Sequence, residues 1–258
     1  MELIQGLTSA IASSSIVYPI EVLKTNYQAS RLNINTSNNS LKTIIRNIYT
    51  KQGVKGFYRG LSTQLGTHPI FWSIFLQAKK YEPFNTNNKY INKVSNVFWA
   101  SSIASTIANP FYVFRNQFQT EVMKKRNNLT YSVLAKELYQ KNGVSWMLKG
   151  MGVTLGNNTK LCIQFPLYDV INEKTNNIVI SSLGSKTITS IIFYPFDFIR
   201  TQQRSSIENL SIRKITSDIY LRNGLRGFYS GVGIYTATST PNFILMMVFR
   251  DLMKKHLN

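Results

Sequence analysis

Carboxylates are scarce in this chain: 11 Asp and Glu stand against 30 Lys and Arg, leaving a formal net charge of +19 over 258 residues. Cysteine is scarcer still, and the single Cys162 excludes both a disulfide framework and a Cys-based zinc site. Long apolar runs are missing as well, since no segment reaches the ~20 uninterrupted apolar residues of a conventional span. No catalytic triad, metal-ligand cluster or phosphate-binding loop is visible, so no enzyme, no metal and no cofactor is expected. Residues 1–18 read at once as helix rather than as a cleavable Arg-rich leader, so any address is expected to be internal.

What the chain has is repetition. "YPIEVLKTNYQ", "NPFYVFRNQFQ" and "YPFDFIRTQQR" each carry a proline (Pro19, Pro110, Pro195), followed two residues on by Glu21, Tyr112 or Asp197, and five residues on by Lys24, Arg115 or Arg200. A second block of thirteen residues follows each time: "IYTKQGVKGFYRG", "LYQKNGVSWMLKG" and "IYLRNGLRGFYSG", ending at Gly60, Gly150 and Gly231. Two motifs recurring three times in one order mark a tandem triplication. The copies are expected at about 1–86, 90–175 and 176–258, forming together one domain over 1–258.

Composition agrees with helices that are polar on one side. With 43% hydrophobic and 16% charged residues the chain suits a membrane, yet its mean hydropathy of −0.11 is low for a bundle wholly exposed to lipid. Segments 3–18, 94–109 and 179–194, rich in Ser, Thr, Ala and Gly, precede the prolines. Ala100, Ala104 and Ala108 repeat at i, i+4, i+8, as do Gly6, Ala10 and Ser14, a spacing that allows close helix approach. Segments 61–79, 151–171 and 232–252 follow the later glycines. Between them lie short amphipathic helices with apolar stripes at Leu41, Ile44, Ile45 and Ile48 in the first copy and Ile212, Ile215 and Ile219 in the third, stopped at Gly53, Gly143 and Gly224.

The basic residues argue against nucleic acid as partner. Of the 30, 20 lie between the prolines and the later glycines, where only 6 of the 11 acids lie. That is the distribution of positive-inside loops. An acid and a base three residues apart lie near one face of a helix, and three such helices around a pseudo-threefold axis would bring their charges together in a ring.

Here the sequence resembles the mitochondrial carrier family, whose repeat reads proline, any, acid, any, any, base, followed by an aromatic, a base and glycine. The resemblance covers essentially the whole chain. It implies an all-α integral membrane fold of six transmembrane helices in three pseudo-threefold repeats, with three short amphipathic helices on the matrix side. It further implies a multi-pass protein of the mitochondrial inner membrane, its termini toward the intermembrane space, acting as a monomer. By the same resemblance the ring is a matrix gate: Glu21 is expected to pair with Arg115, Asp197 with Lys24, and Arg200 with Tyr112, where the family has an acid. Gln28 and Gln119, nine residues past their prolines, are expected to brace the ring, and the third copy has Arg204 there.

A second network, on the cytoplasmic side, is implied at Lys79, Asp169, Asp251 and Lys254, with Asp169–Lys254 as its clearest pair. Helix starts at Gly60, Gly150 and Gly231 are expected to hold cardiolipin phosphates, with Arg59 and Lys149 nearby. Solute contacts are implied at Gly66, Gly156, Asn157 and Ser239. Lys160, one turn beyond Asn157, is the cation expected either to touch solute or to pair with a protein group, and Lys186 is another candidate. His68 is read as a packed residue. The expected function is alternating-access transport of a small anionic metabolite across that membrane, with a nucleotide as the candidate solute. The alternative is a non-transporting membrane adaptor of the same fold, with a soluble RNA-binding helical repeat a distant third.

Overall fold

A computed structural model describes residues 2–30, 40–85, 87–120 and 130–257. These residues form α-helices and short 3-10 turns, with no strand among them. Each repeat supplies a long helix, a short one and a second long one. In the first these are α1 (Glu2–Ser30), α2 (Leu41–Gln52) and α3 (Leu61–Lys79); in the second, α4 (Lys89–Gln119), α5 (Tyr131–Asn142) and α6 (Met151–Thr175); in the third, α7 (Ile178–Ser205), α8 (Ile212–Asn223) and α9 (Val232–Leu257). Pro19, Pro110 and Pro195 lie inside α1, α4 and α7, which continue through them.

The short helices end as their sequence predicts. Gly53, Gly143 and Gly224 take φ of 61°, 58° and 58°, and their amides donate to Tyr49, Tyr139 and Tyr220. Ser40 and Ser211 cap the N-termini of α2 and α8 by accepting from Thr43 and Lys214. The buried stripe is narrower than expected. Ile44 and Ile48, Leu134 and Leu138, and Ile215 and Ile219 are buried, whereas Leu41, Ile45 and Ile212 remain exposed. Each short helix packs on one side only, against residues of its own repeat such as Tyr18 and Val22, Val113 and Phe118, or Tyr194 and Phe198. Burying one such aliphatic side chain contributes about 1.5–3 kcal/mol.

Among the long helices the burial pattern is inverted relative to a soluble bundle. In α7, Ser181, Ser182, Ser185, Thr189 and Ser190 are buried, while Ile180, Leu183, Ile188, Ile191 and Ile192 face outward, each at least 45% exposed. Helix α4 does the same, with Ser101, Ser105 and Asn109 inside and Trp99, Ile107 and Phe111 outside. The alanine stripe of α4 is fully buried, and Ala100 and Ala104 pack with Phe75 and Ala78 of α3. Among the described residues no helix is long and apolar enough to cross a membrane by continuous hydropathy.

Candidate functional site

The prolines set the register of the site. In α1, α4 and α7 the residue before Pro19, Pro110 or Pro195 and those at +2, +5, +7 and +9 are brought toward the other two repeats. The +2 and +5 positions make the charged tier. Arg115 Nη2 lies 3.1 Å from Glu21 Oε2, an ion pair between repeats with side chains 13% and 12% exposed. This is the pairing that the family resemblance implies.

The rest of the charged tier differs from the expectation. Asp197, 2% exposed, takes Lys160 of α6 rather than Lys24, with Nζ 3.1 Å from Oδ2. Arg200 turns back to Asp197, three residues away on the same helix, and does not bond Tyr112. Tyr235 donates its phenol to Asp197 Oδ2 at 2.5 Å, and Asn157 Nδ2 donates to Oδ1 at 3.1 Å. The Lys24 ammonium sits 5.1 Å from the centre of the Tyr235 ring. Tyr112 lies under the Arg204 guanidinium at 4.9 Å, so its aromatic face meets a cation where an acid would have met one. Asp197 goes to Lys160 because the phenol of Tyr235 holds both groups: Lys160 Nζ donates to that oxygen at 2.7 Å.

Beside the charges lies a tier of amides and tyrosines that follows the threefold symmetry throughout. The residue at +9 reaches the residue before the proline of another repeat: Gln119 to Tyr18 at 3.2 Å, Arg204 to Asn109 at 2.5 Å, and Gln28 to Tyr194 at 3.0 Å. The residue at +7 donates back to the +9 backbone carbonyl: Asn26 to Gln119 at 2.6 Å, Gln117 to Arg204 at 2.8 Å, and Gln202 to Gln28. Thr25 adds a bond to Gln119 Oε1 at 2.8 Å. Gln28 and Gln119 therefore brace tyrosines, not the charged side chains.

The residue before each proline also fastens the start of the next long helix. Tyr18 donates to the Arg59 carbonyl at 2.9 Å, Asn109 to that of Lys149 at 3.0 Å, and Tyr194 to that of Ser230 at 2.5 Å. Each of these carbonyls precedes a glycine that opens a helix. Gly60 and Gly231 have φ of 85° and 89°, and an added Cβ would lie 3.0 Å from the Tyr18 and Tyr194 phenols. Glycine is required there both by the left-handed backbone and by the close approach.

Lys149, placed by the sequence near a lipid phosphate, is buried and turned inward. Its ammonium donates to the carbonyls of Ser206, Ile207 and Glu208 at 3.0, 2.5 and 3.1 Å. It caps the C-terminal end of α7, where free carbonyls and the helix dipole favour a cation. Burial nevertheless pushes its pKa down to about 8, against the opposing effect of Glu208. Arg59 lies over the Phe118 ring at 5.8 Å.

Of the implied solute contacts, Asn157 and Lys160 meet at Asp197, and Asn157 Oδ1 and Ser239 Oγ are buried without a partner. Gly66 has open space where a side chain would stand, and Gly156 faces the Phe196 ring. Lys186 lies 3.4 Å from Gln164 Oε1 and 5.4 Å from the centre of the Phe243 ring. On the second network, Asp169 and Lys79 stand on α6 and α3. The side chains of Asp251 and Lys254 lie outside the described residues, as does the Asp169–Lys254 pairing. Tyr18, Asn109, Tyr194 and Tyr235 were missed by sequence reasoning, although the first three stand beside the motif prolines in every copy.

Three helical repeats, each contributing a proline-centred helix to one ring of polar contacts, define a carrier-type bundle. The model of the family "Mitochondrial carrier protein" matches residues 1–81, 87–178 and 172–258, and the chain belongs to that family. It is 25% identical to mitochondrial substrate carrier family protein W of Dictyostelium discoideum, over all of this chain and 87% of the relative. It is 23% identical to the chloroplastic nicotinamide adenine dinucleotide transporter 1 of Arabidopsis thaliana, covering 98% and 90% of the two chains. Identity to the mitochondrial nicotinamide adenine dinucleotide transporter 1 of Saccharomyces cerevisiae is 25%, over 98% and 76%.

Proposed function

We propose that this protein carries a phosphate-bearing anion of the nucleotide or dinucleotide class across the mitochondrial inner membrane by alternating access. The observation that carries the reading is the charge of the interior. Lys24, Arg115, Lys160, Lys186, Arg200 and Arg204 stand on the inner faces of α1, α4, α6 and α7, with Glu21 and Asp197 alone for balance among the described residues. Cations in excess within a bilayer are costly unless they meet water or an anion. An anionic solute supplies the missing charge, and the relatives named as dinucleotide transporters fit a pyrophosphate-bearing one.

In this reading α1, α3, α4, α6, α7 and α9 span the bilayer, their outward isoleucines meeting lipid, and α2, α5 and α8 lie at the matrix surface with the termini opposite. The charged and amide tiers together form the matrix-side gate, braced by Gln28, Gln119 and Arg204. Helix starts at Gly60, Gly150 and Gly231 remain places where a cardiolipin phosphate fits exposed amides, with Arg59 beside the first. The adaptor alternative would draw on the missing acid at Tyr112 and on the irregular second network at Lys79, Asp169, Asp251 and Lys254. At the first of these the Tyr112 ring lies under Arg204, which supports a gate kept by a different contact.

The test is uptake by liposomes containing the purified protein, across dinucleotides, nucleotides, keto acids and amino acids. Saturable uptake restricted to phosphate-bearing solutes is expected. Uptake of keto acids or amino acids alone, or no uptake by correctly inserted protein, would overturn the reading.

A further inference from the structure

Asp197 holds more positive charge than it needs. Arg200 alone neutralises it, yet Lys160 also bonds it, and Tyr235 and Asn157 complete four donors on its two oxygens. Lys24 adds a further cation at the same ring: its ammonium is 5.1 Å and that of Lys160 4.9 Å from the Tyr235 centroid. Three cations thus surround one carboxylate and one phenol.

The fold does not ask for Lys160. Ten residues past the helix-opening glycine the second repeat has Lys160, while the first has Ile70 and the third has Pro241. The amide and tyrosine tiers recur in all three copies, as a scaffold must. A lysine present in one copy, 5% exposed and bonded to an already neutralised acid, is surplus to that scaffold.

We propose that Lys160 is an exchangeable lock: a phosphate or pyrophosphate group of the solute takes its ammonium from Asp197, with Tyr235 as the pivot and Lys24 as the second cation for the incoming anion. The inference rests on the transport reading above and names how solute is sensed there. The exchange is cheap on the protein side because Asp197 retains Arg200, Tyr235 and Asn157, so no buried carboxylate is left bare. It also loosens the contact between α6 and α7, because Lys160 is one of two α6 side chains that hold Asp197 and only Asn157 then remains. Solute arrival and the release of a helix contact become one event.

The experiment measures binding of inorganic pyrophosphate to the purified full chain in detergent, at ionic strength matched with potassium chloride. Lys160→Gln is expected to weaken binding at least tenfold, and Lys174→Gln, at an exposed position, to leave it unchanged. If Asp197 competes with the anion, Asp197→Asn binds pyrophosphate severalfold more tightly than the wild type. Removing a negative charge could do that by itself, so Tyr235→Phe is the deciding variant. It keeps every charge and the ring, and removes only the hydroxyl that clasps Lys160 to Asp197, so a roughly two- to threefold gain is expected. Unchanged or weaker binding in Tyr235→Phe, wild-type affinity in Lys160→Gln, or no binding by the wild type would each overturn the exchange. If this pattern holds but liposomes take up no phosphate-bearing solute, the transport reading falls and the exchange stands. If Lys160→Gln transports with unaltered half-saturation, the exchange falls and transport stands.

Discussion

Arg204 of α7 donates to Asn109 of α4 at the place where the other two repeats set a glutamine against a tyrosine. The exchange conserves reach: a long side chain meets a short one in the second repeat, and a shorter one meets a long one in the first and third. Asn109 keeps the other duty of the tyrosines as well, since it donates to the carbonyl before Gly150. The two substitutions are one change distributed over two helices.

Reverting that pair tests the relationship. Asn109→Tyr alone sets a phenol against a guanidinium built for a shorter partner, and Arg204→Gln alone leaves Asn109 without its donor. Each is expected to lower the melting temperature in detergent, by the equivalent of about 1–3 kcal/mol for an unmade buried hydrogen bond. The double variant Asn109→Tyr/Arg204→Gln restores the arrangement of the other repeats and should recover most of the loss. Additive losses in the double variant would show the two positions to be independent.

The Glu21–Arg115 pair spans the first and second repeats and is largely shielded from solvent. Breaking such a pair from one side costs about 3–5 kcal/mol, because the remaining charge keeps no partner. Glu21→Arg and Arg115→Glu are each expected to reduce uptake to background, while the double reversal recovers part of it. The absence of any recovery, with all three variants inserted, would reject the pairing.

How much of this could be read beforehand depends on whether a feature repeats. Proline, base and glycine recur in triplicate and the acid in two copies, so the helices and their glycine stops followed from spacing, and the expectation of a Glu21–Arg115 pair from the family resemblance. Features present in one copy did not. Nothing in the spacing says that Lys160 reaches Asp197 before Lys24 does, because that depends on where the Tyr235 phenol lies. The amide tier was legible in principle: Asn26, Gln117 and Gln202 stand seven residues past their prolines, and Tyr18, Asn109 and Tyr194 one before. A buried amide network is recognised by its partners, which a sequence does not show.

Lys149 carries a pH-dependent effect outside the long helices. Its pKa is lowered from 10.5 to about 8 in the folded chain, so between these values the unfolded chain holds a proton that the folded one has lost. Stability therefore rises with pH through that window, and the cost of the buried charge is fully present below about 8. The melting temperature of the wild type, referred to that of Lys149→Met, should climb between pH 8 and 10. A flat difference across that range would mean that the three carbonyls of 206–208 hold the ammonium at its ordinary basicity.

Tyr112 offers the last test, because two cations lie within its reach and only its ring answers them. Arg204 stacks on that ring, and Arg200 has turned to Asp197 on its own helix. Tyr112→Phe keeps the stacked face and should melt with the wild type. Tyr112→Asp supplies the acid found at +2 in the other two repeats and gives Arg200 an inter-repeat partner. Water near the gate screens such a pair, so its gain is about 1 kcal/mol, which shifts a two-state equilibrium about fivefold. The aspartate variant is therefore expected to favour the state closed at this ring and, where the lost cation–π contact lies at the low end of its range of about 0.5–2 kcal/mol, to melt higher in detergent. If Tyr112→Asp melts lower and Tyr112→Phe melts with the wild type, the aromatic face is the better partner for Arg204, and the second repeat has replaced an ion pair by a stack.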